Sequence, residues 1–391
     1  MPEILFSPSA RIKIALVAGE ASGDLLGSHL IRALKARFPQ AEFVGIGGPK
    51  MQGVGLKSMF SMETLAVNGY VEVLKNLRAI LRIRRDLTEM LLADRPHAFI
   101  GIDAPDFNLG LERKLKAAGV TTIHYVSPSI WAWRGERIKK IKHCVSHMLA
   151  LFPMEPQLYQ QEGIPVSYVG HPLADEMPLV PDQVAMREQL DIPLASKVVA
   201  LLPGSRQSEV AALAATFIET AKVLAGQLPG VLFLVPLVSR ETRAQFEMML
   251  YRLQAQELPL RVMFGHAHDA LIAADVVLVA SGTATLETAL LKRPMVITYK
   301  VSSLTYKLMW NRKYLPYIGL PNVLAGDFIV PEILQDDATP ANLAQALLNM
   351  IDHQRVTDRL QQRFTDIHLQ LRQNTAERAA EAIAHYLPPA G

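Results

Sequence analysis

Short continuous apolar runs recur along nearly the whole chain, each closed by a glycine or proline turn and followed by a stretch of helical composition. Residues 12–17 (IKIALV), 42–48 (EFVGIGG), 97–104 (HAFIGIDA), 121–127 (TTIHYVS), 147–152 (HMLALF) and 166–169 form a first series of predicted strands. A proline-rich segment, 171–193, separates it from a second series at 198–202 (VVALL), 231–238 (VLFLVPLV), 261–264 (RVMF), 275–279 (DVVLV) and 295–299 (MVITY). Apolar runs without alternation suit strands buried on both faces, and strands that alternate with helices imply parallel sheets covered on both sides. The chain therefore reads as α/β, with two doubly wound domains facing a cleft. The expected division is 1–172, 173–345 and a set of C-terminal helices over 346–391.

One stretch departs from this layering. Over 68–85 (NGYVEVLKNLRAILRIRR), helical spacing puts Tyr70, Val73, Leu74, Leu77, Ile80 and Leu81 on one apolar stripe, flanked by Lys75, Arg78, Arg82 and Arg85. That pattern fits a core-facing helix with solvated arginines, which is the commoner case, and it also fits a helix lying in the headgroup layer of a membrane. No apolar run reaches transmembrane length. With a formal charge of +3 over 391 residues, the chain carries too little positive charge to argue for nucleic acid, though an anionic membrane is compatible. A lone cysteine, Cys144, excludes an intramolecular disulfide and points to a reducing compartment. Residues 1–11 lack the basic and apolar segments of a signal peptide and read as a leader.

Two strand-to-helix turns carry candidate chemistry. In VVALLPGSRQSE, Gly204 allows close backbone approach, Ser205 and the helix N–H groups offer donors, Arg206 adds a fork of charge, and Ser208 and Glu209 suit the helix start. Downstream, ASGTATLE repeats the device: Ser281, Gly282 and Thr283 form the turn, and Glu287 one helical turn later can accept two ribose hydroxyls. Two such turns at strand ends in one domain favour a nucleotide-diphosphate site, since ligands of open α/β sheets bind there. In the first domain Asp103 ends a strand (IDAPDF), where a carboxylate can take a proton from an alcohol, while Asp106 and Asp24 suit helix caps. Trp131, Trp133 and Arg134 follow another strand end and could line a sugar or acyl pocket. A P-loop, a nucleophile elbow, a zinc-binding helix and a D-x-D carboxylate pair are all missing, so a leaving diphosphate would be neutralised by arginine and helix ends rather than by a metal.

Taken together, AGEASGD (18–24), GIGGPKM (45–51), GIDAPDFN (101–108), HYVSPSIWAWR (124–134), VGHPLAD (169–175), LLPGSR (201–206), ASGTATLE (280–287) and LPNVLAG (320–326) resemble the lipid-A-disaccharide synthase family. The resemblance runs from about residue 12 to the C-terminal helices. It implies a GT-B fold of two Rossmann-like domains and an inverting glycosyl transfer, from UDP-2,3-diacylglucosamine to 2,3-diacylglucosamine 1-phosphate (lipid X). The products would be a β-1,6 disaccharide 1-phosphate and UDP, formed without cofactor or metal. By resemblance Asp103 is the general base and Arg206 contacts the diphosphate. Gly204, Ser205, Ser281, Gly282, Thr283, Glu287 and Asn322 are donor-side positions, and Gly19, Glu20, Ser22 and Trp133 lie on the acceptor side. The resemblance also turns the 64–85 segment into a membrane-associating one, placing the protein in the cytoplasm and peripherally on the inner membrane, and it leaves a homodimer open. The alternative expectation is another GT-B enzyme, such as a UDP-N-acetylglucosamine 2-epimerase, which would share the donor turns and need no interfacial helix.

Overall fold

The computed structural model describes residues 12–65, 70–132, 135–301 and 315–389, with only the backbone of 70–76. Residues 1–11 and Trp133, and the side chains of Tyr70, Val73 and Leu74, lie outside that description. The chain forms two compact units, Met1–Asp175 with Leu371–Gly391, and Glu176–Gln370.

The first unit is built on a parallel sheet of seven strands in the order β3-β2-β1-β4-β5-β6-β7. These are β1 (Lys13–Ala18), β2 (Glu42–Ile46), β3 (Leu56–Ser58), β4 (Ala98–Ile102), β5 (Thr121–Tyr125), β6 (His147–Ala150) and β7 (Val166–Tyr168). The two-residue period of a strand splits each apolar run between two faces. Ile14, Leu16, Ala18, Ile100 and Ile102 pack under the helix Ala21–Arg37, while Ala15, Val17 and Phe99 meet Leu87 and Leu111 from the helices Tyr70–Ala93 and Pro105–Ala117. Both faces are dry, which is why the runs read as continuous; burying one such branched side chain contributes roughly 1.5–3 kcal/mol.

The second unit holds a six-stranded parallel sheet in the order β10-β9-β8-β11-β12-β13. Its strands are β8 (Val198–Leu202), β9 (Leu232–Leu237), β10 (Leu260–Phe264), β11 (Val276–Ala280), β12 (Met295–Tyr299) and β13 (Glu332–Leu334). Val199, Leu201, Phe233 and Leu278 pack against Leu213 and Phe217 of the helix Gln207–Gln227 and Leu343 and Leu347 of the helix Pro340–Asp352. The edge strands β3 and β13 have no counterpart among the predicted runs. Each is three residues long and carries a charged residue, Lys57 or Glu332, so neither forms a continuous apolar run.

The expected boundary at 345/346 falls inside the helix Pro340–Asp352, whose apolar face belongs to the second core. The chain returns to the first unit at Leu371, and its last helix, Thr375–Ala384, buries Ala379, Ala380 and Ile383 against the first core. The Asp175 carboxylate receives that helix, accepting from the backbone N–H of Asn374 at 3.0 Å and of Thr375 at 2.7 Å.

Candidate active-site turns

In each sheet the strand order reverses once, between β1 and β4 in the first and between β8 and β11 in the second. The chain leaves the sheet in opposite directions there and opens a crevice at the carboxyl ends, the usual ligand position in such folds. Gly19, Glu20 and Asp103 lie at the first of these points, and Gly204 to Arg206 with Ser281 to Thr283 at the second.

In the first unit, β1 and β4 pair up to Ala18 and Ile102, so the loops that follow emerge side by side. A Cβ on Gly19 would sit 2.9 Å from the Ala104 Cβ, so glycine is what lets the two loops close on each other. Glu20 and Ser22 are exposed at the start of the helix Ala21–Arg37. Asp103 is half-buried with φ 51°, and Ala104 follows at φ 42°, two successive left-handed residues without a glycine. Such backbone costs free energy and gathers at functional sites. The Asp103 N–H donates to the Tyr125 carbonyl at 2.8 Å, and its own carbonyl accepts from Asn108 Nδ2 at 2.8 Å. Among the described residues its carboxylate makes no hydrogen bond, so it is not a turn aspartate closed on its own backbone.

Two expected caps are corrected. Asp106 sits inside the first turn of Pro105–Ala117 with its side chain 93% exposed, and the helix is entered from Ala104 instead. Asp24 is buried and caps a different helix, Pro49–Gly53, by accepting from the N–H of Lys50 and of Met51, each at 3.0 Å. Trp131 is half-buried and packs edge-on against Phe152, ring centroids 6.2 Å apart. Beneath that pair, burial pushes the Glu155 carboxyl up to about 7, opposed by the Phe152 N–H that it accepts at 3.0 Å.

In the second unit, β8 and β11 are neighbours, so both candidate turns stand together. Gly204 takes φ 126°, and a Cβ there would collide with Glu209. Arg206, not Ser208, is the helix N-cap. Glu209 reaches back to accept the N–H of Ser205 at 2.9 Å and of Arg206 at 3.2 Å, as the acid of a capping box does. These two donors, expected to serve a phosphate, are therefore already engaged. The Arg206 guanidinium, 79% exposed and 3.8 Å from Glu209, and the Ser205 hydroxyl stay open to an anion. At the second turn Gly282 and Thr283 are exposed, and Ser281 donates through its hydroxyl to the Ile318 carbonyl at 3.3 Å. Glu287 is half-buried. Burial pushes its carboxyl up, and His268, with Nε2 3.9 Å away, acts against that shift.

The Asn322 side chain is engaged within the protein. It is fully buried, its Nδ2 donates to the Val330 carbonyl at 2.9 Å and Glu332 at 2.8 Å, and its Oδ1 accepts from Ile329 at 2.9 Å and Val330 at 3.0 Å. The amide is saturated and ties the helix Leu320–Ala325 to β13. Glu332 also accepts the N–H of Gly319 at 2.9 Å.

The predicted apolar stripe divides. Leu77 and Leu81 are 39% and 43% exposed, whereas Ile80 packs against the core with Leu87 and Phe107. Among the described residues no helix is long and apolar enough to cross a membrane.

Two parallel-sheet units, each with candidate residues at its own switch point, define the GT-B fold. Solved structures agree on the fold. A UDP-GlcNAc 2-epimerase from Neisseria meningitidis aligns over 96% of this chain and 99% of its own, with a TM-score of 0.59 and 12% identity. A glycosyltransferase from Rickettsia africae aligns over 97% and 98%, with a TM-score of 0.59 and 12% identity. The lipid-A-disaccharide synthetase family profile matches residues 14–385. The lipid-A-disaccharide synthase of Dechloromonas aromatica is 61% identical over 377 residues, 96% of this chain and 99% of the relative. The chain belongs to the lipid-A-disaccharide synthase family and is a glycosyltransferase of lipid A biosynthesis; the epimerase alternative has only a shared fold behind it.

Proposed function

We propose that the protein transfers 2,3-diacylglucosamine from UDP to the 6-hydroxyl of 2,3-diacylglucosamine 1-phosphate, with inversion, to give the β-1,6 disaccharide 1-phosphate and UDP. The observation behind the assignment of roles is the strained, pinned turn that presents Asp103 at the switch point of the first sheet. An alcohol is a poor nucleophile at neutral pH, so a carboxylate takes its proton as the new bond to the anomeric carbon forms. Asp103 is that base, and Gly19, Glu20 and Ser22, on the loop and helix start beside it, hold the acceptor. As the bond to UDP breaks, negative charge grows on the diphosphate, and Arg206 meets it with two parallel N–H donors. Glu287 accepts the ribose hydroxyls. Asn322 acts by holding its helix in place rather than by touching the donor.

Both substrates carry acyl chains, and the exposed Leu77 and Leu81, with Arg78, Arg82 and Arg85 also exposed on the same helix, suit a peripheral seat on the cytoplasmic face of the inner membrane. The test is mass spectrometry of the product from purified protein with UDP-2,3-diacylglucosamine and lipid X. The expected product is the disaccharide 1-phosphate with equimolar UDP. Conversion of soluble UDP-N-acetylglucosamine with no disaccharide formed would overturn the assignment.

A further inference from the structure

Behind the Asp103 turn lies a pair of ionisable side chains that the proposed reaction does not use. Glu112, on the helix Pro105–Ala117, and His124, on β5, are both fully buried and hydrogen-bonded through Oε1 and Nδ1 at 2.7 Å. Among the described residues the second oxygen, Oε2, and the second nitrogen, Nε2, have no hydrogen-bond partner. A buried pair of this kind adds little stability over apolar side chains of the same volume, and often less than they would. Its stability does not account for it, but its position does.

His124 stands in register with Gly101, two residues before Asp103. A Cβ on Gly101 would collide with Glu112 Oε1 and lie 2.9 Å from the Asn108 Cβ, so the helix rests directly on the backbone of β4. One helical turn before Glu112, Asn108 Nδ2 donates to the carbonyls of Asp103 at 2.8 Å, Val17 at 3.3 Å and Ile102 at 3.4 Å. The Ala104 carbonyl in turn accepts from the N–H of Phe107 and of Asn108, each at 3.0 Å. Two adjacent left-handed residues persist only where their surroundings over-determine them. Here the helix that pins the turn is itself fixed to β5, across β4, by Glu112 and His124. Burial pushes the Glu112 carboxyl up. Burial works against protonation of His124, but Glu112, and more weakly Asp103, raise it. The hydrogen bond between the two fixes the helix to β5.

We propose that Glu112 and His124, acting through Asn108, are positioning residues that hold the Asp103 turn in its reactive geometry. The proposal rests on Asp103 being the base. The test replaces the pair by apolar side chains of similar size, Glu112→Met with His124→Leu, in the wild-type and in the Asp103→Asn backgrounds. Because the exchange leaves no unpaired buried charge, the protein is expected to fold with an unchanged or higher denaturation midpoint. In the wild-type background kcat should fall by about 10- to 100-fold, the scale of an ångström-level misplacement, with the KM of both substrates within about threefold. In the Asp103→Asn background the same exchange should cost less than about twofold, since the group it positions is gone. Asn108→Ala is a second probe that leaves the pair intact, and it should show the same split. Turnover within about threefold of wild type in both probes overturns the proposal, as does an equal loss in the two backgrounds, which would mark a general structural role. Near-normal turnover of Asp103→Asn alone overturns the base assignment and this inference with it.

Discussion

The two switch-point turns solve the same topological problem in opposite ways. The Asp103 turn has no glycine, places two successive residues in the left-handed region, and is held by Tyr125, Asn108 and the contact with Gly19. The Arg206 turn gives its unusual backbone to Gly204 and leaves the arginine 79% exposed. A general base must already stand where the proton will be lost, so backbone strain and a dense set of contacts fix it in advance. An arginine that meets a diphosphate needs reach, and the ligand brings the charge that orders it. On the proposed roles, the first turn is preorganised and the second is completed by its ligand.

The test with the largest expected effect bears on the first half of that contrast. Asp103→Asn keeps the shape but cannot accept a proton, so turnover should fall by roughly 10²–10⁴ while UDP affinity, measured by calorimetry, hardly changes. Near-normal turnover would move the role elsewhere, with Glu20 the next residue to test. Arg206→Ala probes the other half. It should raise the barrier by about 2–4 kcal/mol, and Arg206→Lys should recover only part, because the planar fork is lost. Steady-state rates within about threefold of wild type would take Arg206 out of the site.

A pair of backbone substitutions sharpens the comparison at lower cost. Ala104→Gly removes a left-handed penalty of about 1–2 kcal/mol and adds roughly 0.5–1 kcal/mol of chain entropy, so urea denaturation should show a gain of up to about 1.5 kcal/mol. Activity should fall, because the turn loosens. Gly204→Ala should instead lose stability, since the backbone there is left-handed and its Cβ would collide with Glu209. A gain in activity with Ala104→Gly would show that the strain is incidental. The smallest effect on stability belongs to a third surface. Exchanging Leu77 and Leu81 for serine together should change folding stability by no more than about 0.5 kcal/mol and yet reduce retention on anionic vesicles. Ile80→Ser, in the core, should destabilise the fold. If the leucine variant unfolds while wild type ignores vesicles, the whole stripe belongs to the core.

Local pattern was enough for much of this molecule. The continuous apolar runs marked the central strands of both sheets, because burial on two faces is written into consecutive residues, and the turns after β4, β8 and β11 followed from where those runs end. That placed Asp103, Arg206 and Glu287 at strand termini. The same spacing could not show how far each group was already engaged. Glu209 takes the donors meant for a phosphate, Asn322 is saturated by the residues before β13, and Ile80 turns inward from a stripe whose neighbours face out. Nor could it pair Glu112 with His124 or Asn108 with Val17, 91 residues away. Periodicity is a property of neighbouring residues, so the chain itself settles which segments become strands and helices. Hydrogen-bond partners depend on strand order, register and crossover direction, which come into being only when the sheets assemble, and on these the holding of Asp103 depends.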